Sequence, residues 1–161
     1  MTRSLVAFLS LLLVFVAPCP SIADDRAQMV GTWKLVSFEV EFQDTGERQA
    51  PYGANPLGYT IITSAGRMMT VIEGEGRKPA QTDEERATLF RNMFAWTGPF
   101  RLDGEKFILV NDVVWNPVWR AEQNWTYKLE GDRLVLASAW APAPNFPGKM
   151  TRGASTWSRV K

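Results

Sequence analysis

The chain has 161 residues, with 18 Lys and Arg against 17 Asp and Glu, no His and one Cys, which is the material of one ordinary globular domain. Charge this close to balance, with no run of five like charges, leaves no electrostatic footprint for nucleic acid or an anionic membrane surface. Without His, the Ser-His-Asp triad, the Cys-His pair and His-ligated metal or haem sites are excluded, and neither a metal centre nor a cofactor is expected.

Arg3 gives the N-terminus a positive charge, residues 5–17 form an apolar run broken only by Ser10, and Ser21 and Ala23 place small residues at both recognition positions of a cleavage site. The pattern predicts a secretory signal peptide over residues 1–23, cut after Ala23, and a periplasmic or secreted domain over 24–161. A membrane anchor needs about 20 apolar residues. Pro18 and Pro20 stop this run short of that, so no stable membrane insertion is expected once the leader is gone. Cys19 follows Pro18, where a lipoprotein signal wants a small residue, and it leaves with the leader. The remaining domain has no cysteine and must be held by its core alone.

From there turn signals recur: Asp44-Thr45-Gly46, Asn55-Pro56, Ser64-Ala65-Gly66, Gly98-Pro99, Asp103-Gly104, Asn116-Pro117, Gly131-Asp132 and Pro147-Gly148. They divide the chain into short segments rich in β-branched and aromatic residues, which predicts an all-β antiparallel domain. In the first segment Glu39 shares strand parity with Trp33 and Leu35. Without a bulge its carboxylate faces the interior and needs a cation such as Arg67 or Arg120. Further on, Thr82 and Glu85 form a capping box, and Leu89, Phe90, Met93 and Phe94 lie on one face, predicting one short helix over 82–96 that serves as a lid or plug. Asp103-Gly104 predicts a type I′ turn with positive φ at both central residues, and Gly131-Asp132 a second hairpin. Trp125, Tyr127 and Leu129 point one way and Asn124, Thr126 and Lys128 the other, as on a half-buried strand.

The candidate chemistry is sparse. Gly74-Glu75-Gly76 is not a phosphate loop, because Pro79 follows and no Lys-Ser/Thr does. Glu41, Glu73 and Glu75 read as solvated. Residues 111–127 are the richest stretch, with Trp115, Trp119, Trp125 and Tyr127 beside Asn116, Arg120, Glu122 and Gln123. Aromatic area with a few amides and charges among it is what a small-molecule cavity uses to hold and orient a ligand. On this reading Tyr59, Trp96, Trp119 and Trp125 supply apolar contact, and Arg120 and Gln123 orient a polar end.

Gly31-Thr32-Trp33 in the first strand and Trp157-Ser158-Arg159 in the last resemble the G-x-W opening and closing-strand arginine of the calycin superfamily. The blocks GTWKLVSFE (31–39), NPLGYTIITSAGRMM (55–69), WNPVWRAEQ (115–123) and LEGDRL (129–134) are similar, in that order, to the bacterial and fungal lipocalin-like domain family. The resemblance implies an up-and-down calycin-like barrel of about eight strands, whose interior is packed or holds one small ligand. First and last strands are then neighbours, and the Arg159 guanidinium lies over the Trp33 indole, with Arg120 as the rival partner. Three readings of function follow. The first is a barrel that binds a small apolar or aromatic molecule without transforming it. The second is an isomerase, cyclase or dehydratase on a polyketide-like or other carbonyl compound, with Glu39 as base and Tyr59 or Gln123 stabilising an enolate. The third is a structural envelope protein with a filled barrel.

Overall fold

The structure, a computed structural model, describes residues 22–143 and 146–161; residues 1–21 of the expected leader lie outside the described residues. Eight strands close an antiparallel barrel. They are β1 (Gly31–Phe42), β3 (Leu57–Ile62), β4 (Arg67–Glu73), β5 (Met93–Asp103), β6 (Lys106–Val110), β8 (Glu122–Glu130), β9 (Arg133–Ser138) and β11 (Phe146–Arg159), hydrogen-bonded in that order and back to β1. Three short strands, β2 (Arg48–Gln49), β7 (Val113–Val114) and β10 (Ala141–Ala143), pair onto β1, β5 and β11. Two helices accompany them, α1 (Ile22–Met29) and α2 (Asp83–Arg91).

The seam is made by β1 and β11, with Trp33 opposite Arg159 and Leu35 opposite Trp157. The Arg159 guanidinium carbon lies 4.2 Å from the centre of the Trp33 ring, as the resemblance implied, and Arg120 plays no part. Arg159 Nη1 donates to the Val30 carbonyl at 3.0 Å and Nη2 to that of Gln28, while Trp33 Nε1 donates to Met29 O at 2.8 Å. These bonds hold the end of α1, a helix the sequence did not announce. Met29 is fully buried, Arg26 lies over Phe100, and Asp25 accepts from the Tyr127 hydroxyl at 2.8 Å. Thus α1 closes this end of the barrel. Behind it Trp33, Met68, Phe107, Leu109, Leu134, Leu136 and Trp157 fill the interior, each at most 1% exposed.

Two expectations about β1 and α2 are corrected. The β1–β11 register shifts between Leu35 and Ser37, so beyond this bulge the inward residues are Phe38, Val40 and Phe42. An extra residue reverses every later side chain. Glu39 therefore faces outward, 3.5 Å from Arg48, and Arg67 pairs instead with Asp112 at 2.7 Å. The capping box is present, with Thr82 Oγ1 accepting from Glu85 N at 3.2 Å and Glu85 Oε2 from Thr82 N at 3.1 Å. The helix ends at Arg91, however, and Met93 to Trp96 belong to β5. Phe94 and Trp96 alternate into the barrel core, and that burial outweighs their helical spacing. Carrying no buried residue, α2 rests beside the opposite end of the barrel and is not its plug. The β5–β6 turn also differs. Asp103 pairs with Lys106, leaving Gly104-Glu105 as the loop, and Gly104 alone has positive φ (58°). Positive φ at the first central residue only is the II′ pattern, not I′.

Gly98 marks the closest backbone approach. A Cβ there would stand 1.9 Å from the Val110 carbonyl oxygen, so β5 can pass the end of β6 only without a side chain.

Two measurements check this account. In urea titrations, a double-mutant cycle on Trp33→Phe and Arg159→Met should give a coupling of about 0.5 to 2 kcal/mol, and zero coupling would mean the stacked pair does not support the seam. Gly98→Ala should destabilise by at least about 2 kcal/mol, because the obstacle is backbone and cannot rotate away.

Candidate functional site

The end of the barrel opposite α1 is not filled. It holds a cavity of about 320 Å³, partly open to solvent, whose wall is a chain of aromatic rings. Phe38, inward because of the bulge, meets Tyr52 edge-on at 5.2 Å; Tyr52 stacks on Phe94 at 6.1 Å; Phe94 meets Trp96 at 4.5 Å, and Trp96 meets Trp125 at 5.2 Å. All but Tyr52, which sits in a turn, are fixed by their strands: Phe38 is on β1, Phe94 and Trp96 are successive inward residues of β5, and Trp125 is the buried inward residue of β8. Trp119 reaches the same cavity from a single 3-10 turn, Pro117–Trp119. That turn is held at its start by Asn116 Oδ1, which accepts from Val118 N at 3.2 Å, and at its end by Asn111 Nδ2, which donates to Trp119 O at 3.2 Å. Pro117 suits the first position, where an N–H would have no partner.

Apart from Arg91 and Glu122, which pair with Glu84 and Arg101, the polar groups of the lining are neutral. Gln123 stands two residues before Trp125 and shares its inward face. Thr151 and Ser155 line the wall from β11, the Ser155 hydroxyl already accepting from Trp157 Nε1 at 2.9 Å. Burial pushes the Tyr52 hydroxyl up to about 12, so it stays protonated and able to donate. The indole nitrogens of Trp96 and Trp125 are buried without a hydrogen-bond partner, an uncommon condition for a native donor. Among the described residues no group of His, Cys, Asp or Glu is disposed to hold a metal ion.

Of the six side chains the sequence pointed to, Trp96, Trp119, Gln123 and Trp125 meet in this cavity. Tyr59 does not join them. On β3 the inward parity belongs to Gly58, Thr60 and Ile62, and Tyr59 stands half-exposed on the outer face. Arg120 follows the 3-10 turn on the exposed surface and does not line the cavity either. Phe38, Tyr52, Phe94 and Thr151, all in the wall, were missed: Phe38 through the bulge, Phe94 through the helical reading, Tyr52 because it sits in a loop between turn signals. Trp115 stays outside, its Nε1 donating to Phe90 O at 3.1 Å.

A family model described as lipocalin-like domain matches residues 30–160. No curated protein matches the chain.

The tyrosines give a pH test. Tyr127 is also pushed up to about 12, by burial first and then by its bond to Asp25. A tyrosine raised in the fold stabilises fully below its unfolded value near 10, and that contribution disappears as pH climbs toward 12. Denaturation midpoints should therefore fall across that interval. Tyrosinate absorbance should register two late-titrating groups in the native protein and one in Tyr127→Phe.

Proposed function

The chain belongs to the lipocalin-like domain family, and from that premise we propose that it is an exported barrel that takes one small apolar or aromatic molecule into the open half of its interior and releases it unchanged. The observation that carries this is the cavity of about 320 Å³, which falls at the lower end of the range of small-molecule sites, roughly 300 to 1,000 Å³. Its wall of aromatic faces, with a few neutral hydrogen-bonding groups, supports burial of a flat apolar body and orientation by one polar end. A barrel filled throughout by side chains would leave no such space.

The enzymatic alternative rested on Glu39 as base, and that carboxylate stands outside the barrel beside Arg48. The carboxylate that does touch the cavity, Glu122, lies 3.5 Å from Arg101 and is half-exposed, already engaged with a cation and open to solvent. Binding without turnover is the reading these positions favour. Export rests on the leader in residues 1–23. A cut after Ala23 would leave Asp25 free to keep its bond to Tyr127, so the α1 closure would survive processing.

Intrinsic tryptophan fluorescence, titrated with fatty acids, retinoids, flavonoids and polyketide-like aromatics, should yield at least one ligand with Kd below about 100 μM. Trp125→Ala should weaken it by about tenfold, or 1.4 kcal/mol. Failure of the whole panel would remove the binding reading. Mass determination of the protein recovered from the cell envelope or medium should give an N-terminus at Asp24, and an intact leader would remove export.

A further inference from the structure

The charge inventory of the cavity takes the reading just given one step further, and rests on it. Two lining side chains are charged, Arg91 and Glu122, and both are solvated and engaged. Arg91 Nη2 lies 3.4 Å from Glu84 Oε1 with its side chain 61% exposed, and Glu122 Oε2 lies 3.5 Å from Arg101 Nη1 with its side chain 47% exposed. Deeper in, the wall is aromatic and its polar groups are uncharged. A carboxylate, phosphate or ammonium carried to that depth would lose its hydration and meet no counter-charge.

What the interior does offer is neutral hydrogen-bonding capacity. The side chains of Tyr52, Gln123 and Thr151 line the cavity and form no hydrogen bond with any described residue. Gln123 is the best placed of the three, because it shares the inward face of β8 with Trp125 and sits four residues beyond Trp119. Its carboxamide both donates and accepts, so it can meet a carbonyl or a hydroxyl oxygen. We propose that the cavity selects an uncharged, planar aromatic compound bearing one carbonyl or hydroxyl group, which Gln123 hydrogen-bonds while Phe94, Trp96 and Trp125 cover the ring, and that it discriminates against the anionic acid of the same shape.

Three naphthalenes of nearly equal size separate the possibilities: 2-acetylnaphthalene, which is neutral with an acceptor; 2-naphthoate, which is charged at neutral pH; and 2-ethylnaphthalene, which has no polar group. In equilibrium dialysis against the purified protein, the acetyl compound should bind at least about tenfold more tightly than the naphthoate and more tightly than the ethyl compound. Gln123→Leu should abolish the advantage of acetyl over ethyl while ethyl binding persists, which also reports that the variant is folded. Naphthoate binding as tightly as the ketone would overturn the inference, as would an acetyl compound no better than ethyl in the native protein, or an advantage that survives Gln123→Leu. Should none of the three bind while other members of the ligand panel do, the selectivity argued here falls and the binding cavity stands; should no member of either set bind, both fall.

Discussion

The Arg159 guanidinium, stacked at 4.2 Å from the centre of the Trp33 ring, ties the end of the chain to two elements near its start. It belongs to the last strand, lies on a residue of the first, and donates to carbonyls at the end of α1. Carbonyls at a helix end have no partner within the helix and carry partial negative charge, so a cation there satisfies both. Cation, ring and helix end support one another: the ring orders the guanidinium, the guanidinium holds the helix, and Trp33 Nε1 holds the carbonyl of Met29 between the two that Arg159 takes. With that end fixed and filled, the barrel needs no second plug.

The division of labour along the barrel axis follows. A side chain that fills the interior at one end, such as Trp157 or Phe107, is fully enclosed by neighbours. At the other end rings of similar size are spread around a circumference and braced edge-on or tilted against one another, from Tyr52 and Phe38 through Phe94 to Trp96 and Trp125. Bracing of this kind keeps an apolar space from collapsing, at the stability cost that unfilled volume always carries. A ligand that occupies the space recovers part of that cost, which links occupancy to stability.

Much of this was legible in the residues. The meeting of Trp33 and Arg159 could be expected from the motifs at the two ends, the face of Trp125, Tyr127 and Leu129 from simple alternation, and the start of α2 from Thr82 and Glu85. What was hidden has identifiable physical causes. The bulge at Val36-Ser37 involves no glycine or proline and leaves no compositional mark, yet it decides where Glu39 and Phe38 point. Residues 89–96 satisfy a helical period at Leu89, Phe90, Met93 and Phe94 and a strand period at Phe94 and Trp96, and tertiary burial settled the matter at Asn92. For α1 the ordering contacts are nearly all long-range, from Tyr127, Phe100 and Arg159, so nothing local announces it. Trp119, Gln123 and Trp125 could be named because aromatic and amide side chains cluster in 111–127; Tyr59 was misplaced because β3 takes its parity from neighbours.

The bulge in β1 lets a single strand present two apolar runs of opposite parity to one interior, Trp33 and Leu35 before it and Phe38, Val40 and Phe42 after it. Val36 is half-exposed and many side chains would serve in its place. What matters is that one residue is left out of the β1–β11 pairing at this point. Were the same sequence paired without a bulge, the seam at Trp33 and Leu35 would keep its register while everything beyond turned over. Phe38, Val40 and Phe42 would face water, and Glu39 and Glu41 would face the cavity, away from Arg48 and Arg152. One irregular step in a ladder of hydrogen bonds thus separates an apolar cup from an acidic one.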